Sequence, residues 1–247
     1  MPEKFVGALR SVSTRDELIG LMEAVTHDFG FRYYALIHHD DLRSGDGDRV
    51  DLKDYPAAIA ERLIGEARYR RDPIIRGCVF ADSAFLWSDL HHIMDLDRRD
   101  RASFEYGARE GLNEGITVPC LRLGDCMGSC TFAGTSRPES VRPHLGLAQM
   151  FGVFAFQAAR RLLGLSGPRP SSRLVLHPRP RDCVVLAGRG LSNKEIARAL
   201  NLTPRTVDGY LTVARQLFGA HDRTELVVSA VLAGEVGLHE LKPRQPR

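Results

Sequence analysis

Behind Thr14 and the acidic pair Asp16 and Glu17, apolar residues recur at helical spacing as Leu18, Leu21, Met22, Val25 and Phe29. This pattern predicts an N-capped amphipathic helix over 14–29. Residues 31–38 then read as a strand and 40–48 as a polar loop. Helical spacing returns over 56–68 at Ile59, Leu63 and Ala67, and Asp72-Pro73 opens another helix, since proline suits a first helical position. Two strands, 115–123 and 126–133, flank a turn at Gly124-Asp125, and 144–163 is a long helix with an apolar stripe. Helices, a strand, helices, a hairpin and a final helix predict an α+β domain, an antiparallel sheet covered by helices.

Gly, Pro and Ser crowd into 165–172, LSGPRPSS, which predicts a linker over 165–175 between a domain at 1–164 and another at 176–247. Past the linker every periodic segment is helical, so the second domain is all-α. Ser192 and Glu195 have the spacing of a capping box, with Ile196, Ala197 and Leu200 facing inward and a stop at Asn201. Thr203 can cap the next helix and Pro204 fits its first position, while Val207, Leu211, Ala214 and Phe218 repeat along it. Two helices joined so closely have the geometry of a DNA-reading helix-turn-helix, and also that of an αα-hairpin used only for packing or dimerisation. In the DNA reading, Arg205, Thr206, Asp208, Gly209 and Thr212 face the bases, with Lys194, Arg198 and Arg215 available for phosphates.

Charge leans the same way. The chain carries a net +3, but from Arg173 onward 12 Lys and Arg stand against 7 Asp and Glu. The basic excess therefore sits with the second domain, where a polyanion would be met, although a solvated surface accounts for so small a surplus equally well. The five cysteines have no metal-like spacing and no signal-peptide core precedes them, which predicts a reducing, cytoplasmic setting and small buried thiols. Cys126 and Cys130 are expected to share a strand face and approach Cys120. The most apolar stretch is about half the length of a membrane span. His38-His39-Asp40-Asp41 and His91-His92 lack ligand spacing with a third group, so they are expected as solvated loop or helix-end residues rather than a metal site. No nucleophile-base pair stands out, so neither an enzyme nor a cofactor is expected.

Two stretches resemble a known family. Residues 176–234, with Pro178, Arg179, Gly190, Ser192 to Ala197, Thr206-Val207 and Leu217 to Gly219, resemble the LuxR-type helix-turn-helix. Residues 14–164, with Tyr55-Pro56, Tyr69, Asp72-Pro73, Trp87 in FLWSDL and GLNEGITVP from Gly111, resemble the autoinducer-binding domain of LuxR-type quorum-sensing regulators. The order of the two is also the family's. The resemblance implies a small-molecule signal, an acyl homoserine lactone or analogue, double-stranded DNA as partner, and a homodimer built partly on 144–163 and 226–232. It places Asp72 as acceptor for the ligand's amide N–H, Tyr55 as donor to a carbonyl, Thr131 as a further hydroxyl and Trp87 as a flat wall. Taken singly, Asp72 is also a good helix cap and Tyr55 and Trp87 are ordinary core aromatics.

Departures from the family matter more than the matches. Ile59 and Leu63 stand where the family usually has Trp and Tyr, and Ile59 cannot donate to a lactone carbonyl. A carbonyl buried there unpaired costs about 1–3 kcal/mol, or roughly ten- to a hundredfold in affinity. Weak binding of ordinary acyl homoserine lactones is therefore expected, with a less polar or differently shaped head preferred. In the DNA-binding part, Pro180 replaces a usual Glu, Asp208 a common basic residue, and Gly209 weakens its helix. These departures suit an orphan member of the family. They also leave open a ligand-independent regulator acting constitutively or through a partner regulator, and an enzyme acting on a small acyl compound.

Overall fold

The computed structural model describes residues 2–39, 49–65, 71–122, 126–164 and 175–242. The chain divides into two compact units, Met1–Gly167 and Pro168–Arg247. The turn expected at Gly124-Asp125, the polar loop 40–48, Ala67, Tyr69 and most of the linker lie outside the described residues.

The first unit is a five-stranded antiparallel sheet in the order β2-β1-β5-β4-β3, from β1 (Tyr33–His38), β2 (Asp51–Asp54), β3 (Phe85–Leu86), β4 (Gly115–Cys120) and β5 (Gly128–Ala133). Pairing fixes which side chains share a face, because neighbours along a strand alternate. Leu36, Cys130 and Val118 lie in one cross-strand row and Tyr34, Phe132 and Ile116 in another. Both rows pack beneath α1 (Pro2–Ser11), α2 (Arg15–Asp28) and α6 (Leu145–Leu162) with Leu18, Met22, Phe151 and Phe156. The helix expected over 14–29 forms as α2, with Thr14 and Glu17 closing a reciprocal capping box.

The opposite face meets a smaller apolar cluster of Ile59, Cys78, Phe85, Trp87, Leu90 and Leu112. It is carried by α3 (Ala57–Ala60), α4 (Pro73–Phe80), a 3-10 turn (Trp87–His92) and α5 (Arg98–Arg109). Among its described residues, the helix expected over 56–68 is regular in α3 and loosens into a π turn over Glu61–Gly65.

Two expectations are corrected. His38 and His39 are not solvated: His38 is buried at the end of β1, and the His39 N–H continues the ladder by donating to the Met127 carbonyl at 2.7 Å. Cys126 precedes β5 rather than lying in it and gives its thiol to the Met127 carbonyl, while Cys120 and Cys130 are buried on the helix side.

The second unit consists of α7 (Pro178–Gly188), α8 (Asn193–Leu200), α9 (Pro204–Phe218), α10 (Arg223–Leu232) and α11 (Leu238–Leu241). Its core contains Val184, Ile196, Val207, Leu211, Ala214, Leu226 and Ala230. Pro180 sits in the first turn of α7, where its missing N–H breaks no helical bond. Asn201 ends α8 in the left-handed conformation at φ 55, and Thr203 then caps α9. Leu226 is fully buried in this core, so of 226–232 only the outer residues, such as Val228 and Leu232, remain exposed for a second copy.

Candidate ligand site and nucleic-acid interface

Register places Ala35, Thr131 and Thr117 in one row across the face that meets the smaller cluster, with Tyr33, Ala133 and Gly115 in the row above. Trp87 lies against Gly115, where a Cβ would stand 2.6 Å from its Cε2, so glycine is what lets the indole lie flat on the strand. The indole N–H donates to Thr117 Oγ1 at 2.9 Å, and Thr117 and Thr131 share a hydrogen bond at 3.1 Å. Thr131 in turn faces the Tyr55 phenol as a hydrogen-bond donor, lowering its pKa against the larger effect of burial. This chain has four hydrogens, one each on Trp87, Thr117, Thr131 and Tyr55, for three contacts. With Thr117 donating to Thr131 and Thr131 to Tyr55, the phenolic O–H is the hydrogen left for an outside acceptor.

Asp72 supplies the complementary acceptor. Its Oδ1 takes the N–H groups of Ile74 and Ile75 at 2.9 and 3.1 Å, capping α4, so cap and candidate ligand residue are one side chain. Burial pushes its pKa up to about 6 against the opposing pull of those two N–H bonds. Burial, helped by the nearby Asp72, raises the Tyr55 phenol and keeps it a donor. Ile59 is buried and Leu63 partly buried in the same cluster, and neither has a polar atom to offer. Tyr55, Ile59, Leu63, Asp72, Trp87 and Thr131 thus come together around one sheet face.

Three participants escaped the sequence reading. Thr117 had no signal beyond strand alternation. Arg62 holds its guanidinium 3.9 Å over the Tyr106 ring, and its charge lowers the Asp72 pKa. His39 Nε2 meets Ser129 Oγ at 2.8 Å, two residues along β5 from Thr131. A separate groove lined by Arg122, Phe156, Gln157 and Arg160 lies on the helix side of the sheet, away from all of these.

In the second unit, α9 buries Val207, Leu211 and Ala214, which turns Arg205, Asp208, Gly209 and Val213 outward. Thr206 and Thr212 flank that face half-buried: Thr206 shares a hydrogen bond with Thr203 at 2.8 Å, and Arg215 donates to Thr212 at 3.1 Å. Lys194 and Arg198 are exposed on α8. The expected DNA residues therefore fall on α8 and α9, while Asp208 does not stand alone, because Asn193 donates to it at 3.3 Å.

Residues 14–161 match the family model described as autoinducer binding domain, and residues 174–230 that of bacterial regulatory proteins, luxR family. The quorum sensing-dependent transcriptional regulator RpaR of Rhodopseudomonas palustris is 27% identical over 221 residues, covering 90% of this chain and 89% of that protein. Escherichia coli SdiA has the same fold, with a TM-score of 0.57 at 18% identity over 95% of this chain and 97% of SdiA. A structure of SdiA in complex with octanoyl-rac-glycerol matches with a TM-score of 0.56 at 17% identity over 94% of this chain and 93% of that one. Among the described residues no helix is long and apolar enough to cross a membrane.

Proposed function

The chain belongs to the luxR family of bacterial regulatory proteins, an autoinducer-binding domain followed by a luxR-type helix-turn-helix, and from that premise we propose what it senses and how it answers. It is a ligand-responsive, DNA-binding transcriptional regulator of the quorum-sensing type. The signal we propose is an acyl amide whose head group carries no carbonyl acceptor. The observation that carries this is the pairing of one spare phenolic hydrogen on Tyr55 with the Asp72 carboxylate, beside an Ile59 that cannot donate. A secondary amide asks for one donor and one acceptor, and a buried lactone carbonyl would need a second donor. That SdiA takes octanoyl-rac-glycerol supports a fold tolerant of heads other than a lactone.

The readout is proposed to be two-state. Ligand stabilises one arrangement of a homodimer and so sets the spacing of two α9 helices on DNA, with Arg205, Thr206, Asp208, Gly209 and Thr212 toward bases and Lys194, Arg198 and Arg215 toward phosphates. Exposed Val228 and Leu232 on α10 support a second copy as partner. No enzymatic step is needed in this reading. A second reading, a regulator that needs no ligand, is favoured by the buried Ile59 and by Trp87, Thr117 and Thr131 already hydrogen-bonded to one another.

Mass spectrometry of small molecules released from the purified full chain tests the first reading. Recovery of an intact acyl amide is expected. An empty, stable protein that binds DNA equally well with and without added amide would favour the second. Tight calorimetric binding of a straight-chain acyl homoserine lactone would sink the claim about the head group.

A further inference from the structure

The cluster has a polar far end that no part of the acyl-amide reading uses. Along the ligand-side face, Ala35 pairs with Thr131 and Ile37 with Ser129, so His39 comes opposite Met127, whose carbonyl accepts the His39 N–H. Met127 packs against the same apolar cluster as Trp87 and Ile59, so the face is continuous from one end to the other. Four residues of strand separate Ala35 from His39, about 13 Å at the usual rise. Two residues along β5 from Thr131, about 7 Å away, Ser129 is buried and His39 Nε2 meets its hydroxyl at 2.8 Å. The other ring nitrogen, His39 Nδ1, is buried with no hydrogen-bond partner among the described residues. A buried polar atom left unpaired is costly, and native proteins rarely keep one without a use.

We propose that His39 and Ser129 form a distal subsite that takes a hydroxyl group at the far end of the ligand's acyl chain. The inference rests on the acyl-amide reading above, which places the amide at Tyr55 and Asp72. The chemistry selects a hydroxyl over its rivals. Burial, reinforced by the charge of His38, pushes the His39 pKa down to about 4, so the ring is neutral. The neutral ring brings no charge of its own to offset a buried terminal carboxylate or ammonium. A hydroxyl both donates and accepts, and so fits Nδ1 whichever tautomer the contact with Ser129 sets.

The test is a calorimetric titration of the full chain with two pairs of probes. One pair is octanoyl cyclopentylamide and its ω-hydroxyoctanoyl counterpart, and the other is the same two acyl chains on homoserine lactone. The hydroxyl is expected to tighten binding about tenfold in any pair that binds, the worth of one buried hydrogen bond. His39→Leu should erase the gain, read as the ratio of the two probes within each pair, and Ser129→Ala, which removes only an oxygen, should reduce it. A hydroxyl that is neutral or unfavourable, or a gain that survives both substitutions, overturns the subsite and leaves Nδ1 to an ordered water. If only the lactone pair binds, the head-group reading falls while the hydroxyl comparison still decides the subsite. If no probe binds, both fall.

Discussion

Asp208 on α9 accepts a hydrogen bond from the Asn193 side-chain amide at the start of α8, at 3.3 Å, and the Asn193 carbonyl oxygen in turn accepts from Arg223 of α10 at 3.0 Å. The carboxylate that departs from the family's basic residue is thus tied into a relay between three helices. It still carries its charge on an exposed position of the helix proposed to read DNA, where phosphates would repel it. Asp208→Ala is expected to raise affinity severalfold for any duplex, specific or not, and to cost less than about 1 kcal/mol in stability, as exposed polar pairs do. Fluorescence anisotropy with cognate and random duplexes at two salt concentrations checks this. A uniform loss of affinity would mean that the relay, and not the charge, is what matters.

Gly209 sits one residue on, exposed in the middle of α9, and nothing lies within 4 Å of where its Cβ would be. Its cost to the helix, up to about 1 kcal/mol relative to alanine, therefore has no offset inside the protein. The offset is expected outside, where a missing side chain would let the helix backbone approach the groove floor. Gly209→Ala is expected to raise the Tm of the second unit's transition and to weaken specific DNA binding, two effects of opposite sign. Thermal melts and anisotropy on the same preparation read both, and a variant that gains stability without losing affinity rejects the close approach.

What could be read in the sequence was what is local. The capping boxes at Thr14 and Ser192, the Asp72-Pro73 start and the Thr203-Pro204 start are signals spelled within four residues, and each helix begins where they say. Helix α5 escaped because its apolar positions are few and its buried face includes Asp100, bonded to Arg76 at 2.8 Å. Strand β2 escaped because four residues at a sheet edge carry almost no period. At the candidate ligand site, the residues named by family likeness lie around one sheet face, but Thr117 and His39 gain their meaning from strand pairing, which joins residues far apart in sequence. The run His38-His39-Asp40-Asp41 looks solvated until the ladder to β5 carries its first two members inside.

Asp72 caps α4 and is the proposed acceptor for the ligand's N–H, two tasks that a single substitution separates. Its pKa is raised to about 6 from an ordinary 3.8, so the folded state disfavours the ionised form. That penalty is present in full above pH 6 and is relieved as the pH falls toward 4. Asp72→Asn keeps a cap oxygen for Ile74 and Ile75 and removes the charge. The variant is expected to be more stable than the parent above pH 6 and to lose that advantage as the pH falls toward 4. Its ligand affinity should drop at least about tenfold, because the amide NH2 then opposes the ligand's N–H. Urea melts from pH 4 to 8 with and without octanoyl cyclopentylamide check both halves. Reduced stability above pH 6 would show that Asp72 is mainly structural.

The absent indole can be restored. Ile59→Trp would add the N–H that a lactone carbonyl requires, at a position that is only 6% exposed and packed among Trp87, Leu90 and Phe85. The added volume is expected to destabilise the ligand-free chain by about 1–3 kcal/mol, the usual range for overpacking a core. Against that, octanoyl homoserine lactone should bind at least about tenfold tighter than it does to the parent, as one buried carbonyl gains a partner. Octanoyl cyclopentylamide, which has no head-group carbonyl, should lose affinity to the crowding alone. The difference between the two ligands cancels the destabilisation common to both, so calorimetry of the pair isolates the hydrogen bond. Equal changes for lactone and cyclopentylamide would mean that the head group does not lie beside residue 59, and with it would go the explanation of why this sensor departs from its family there.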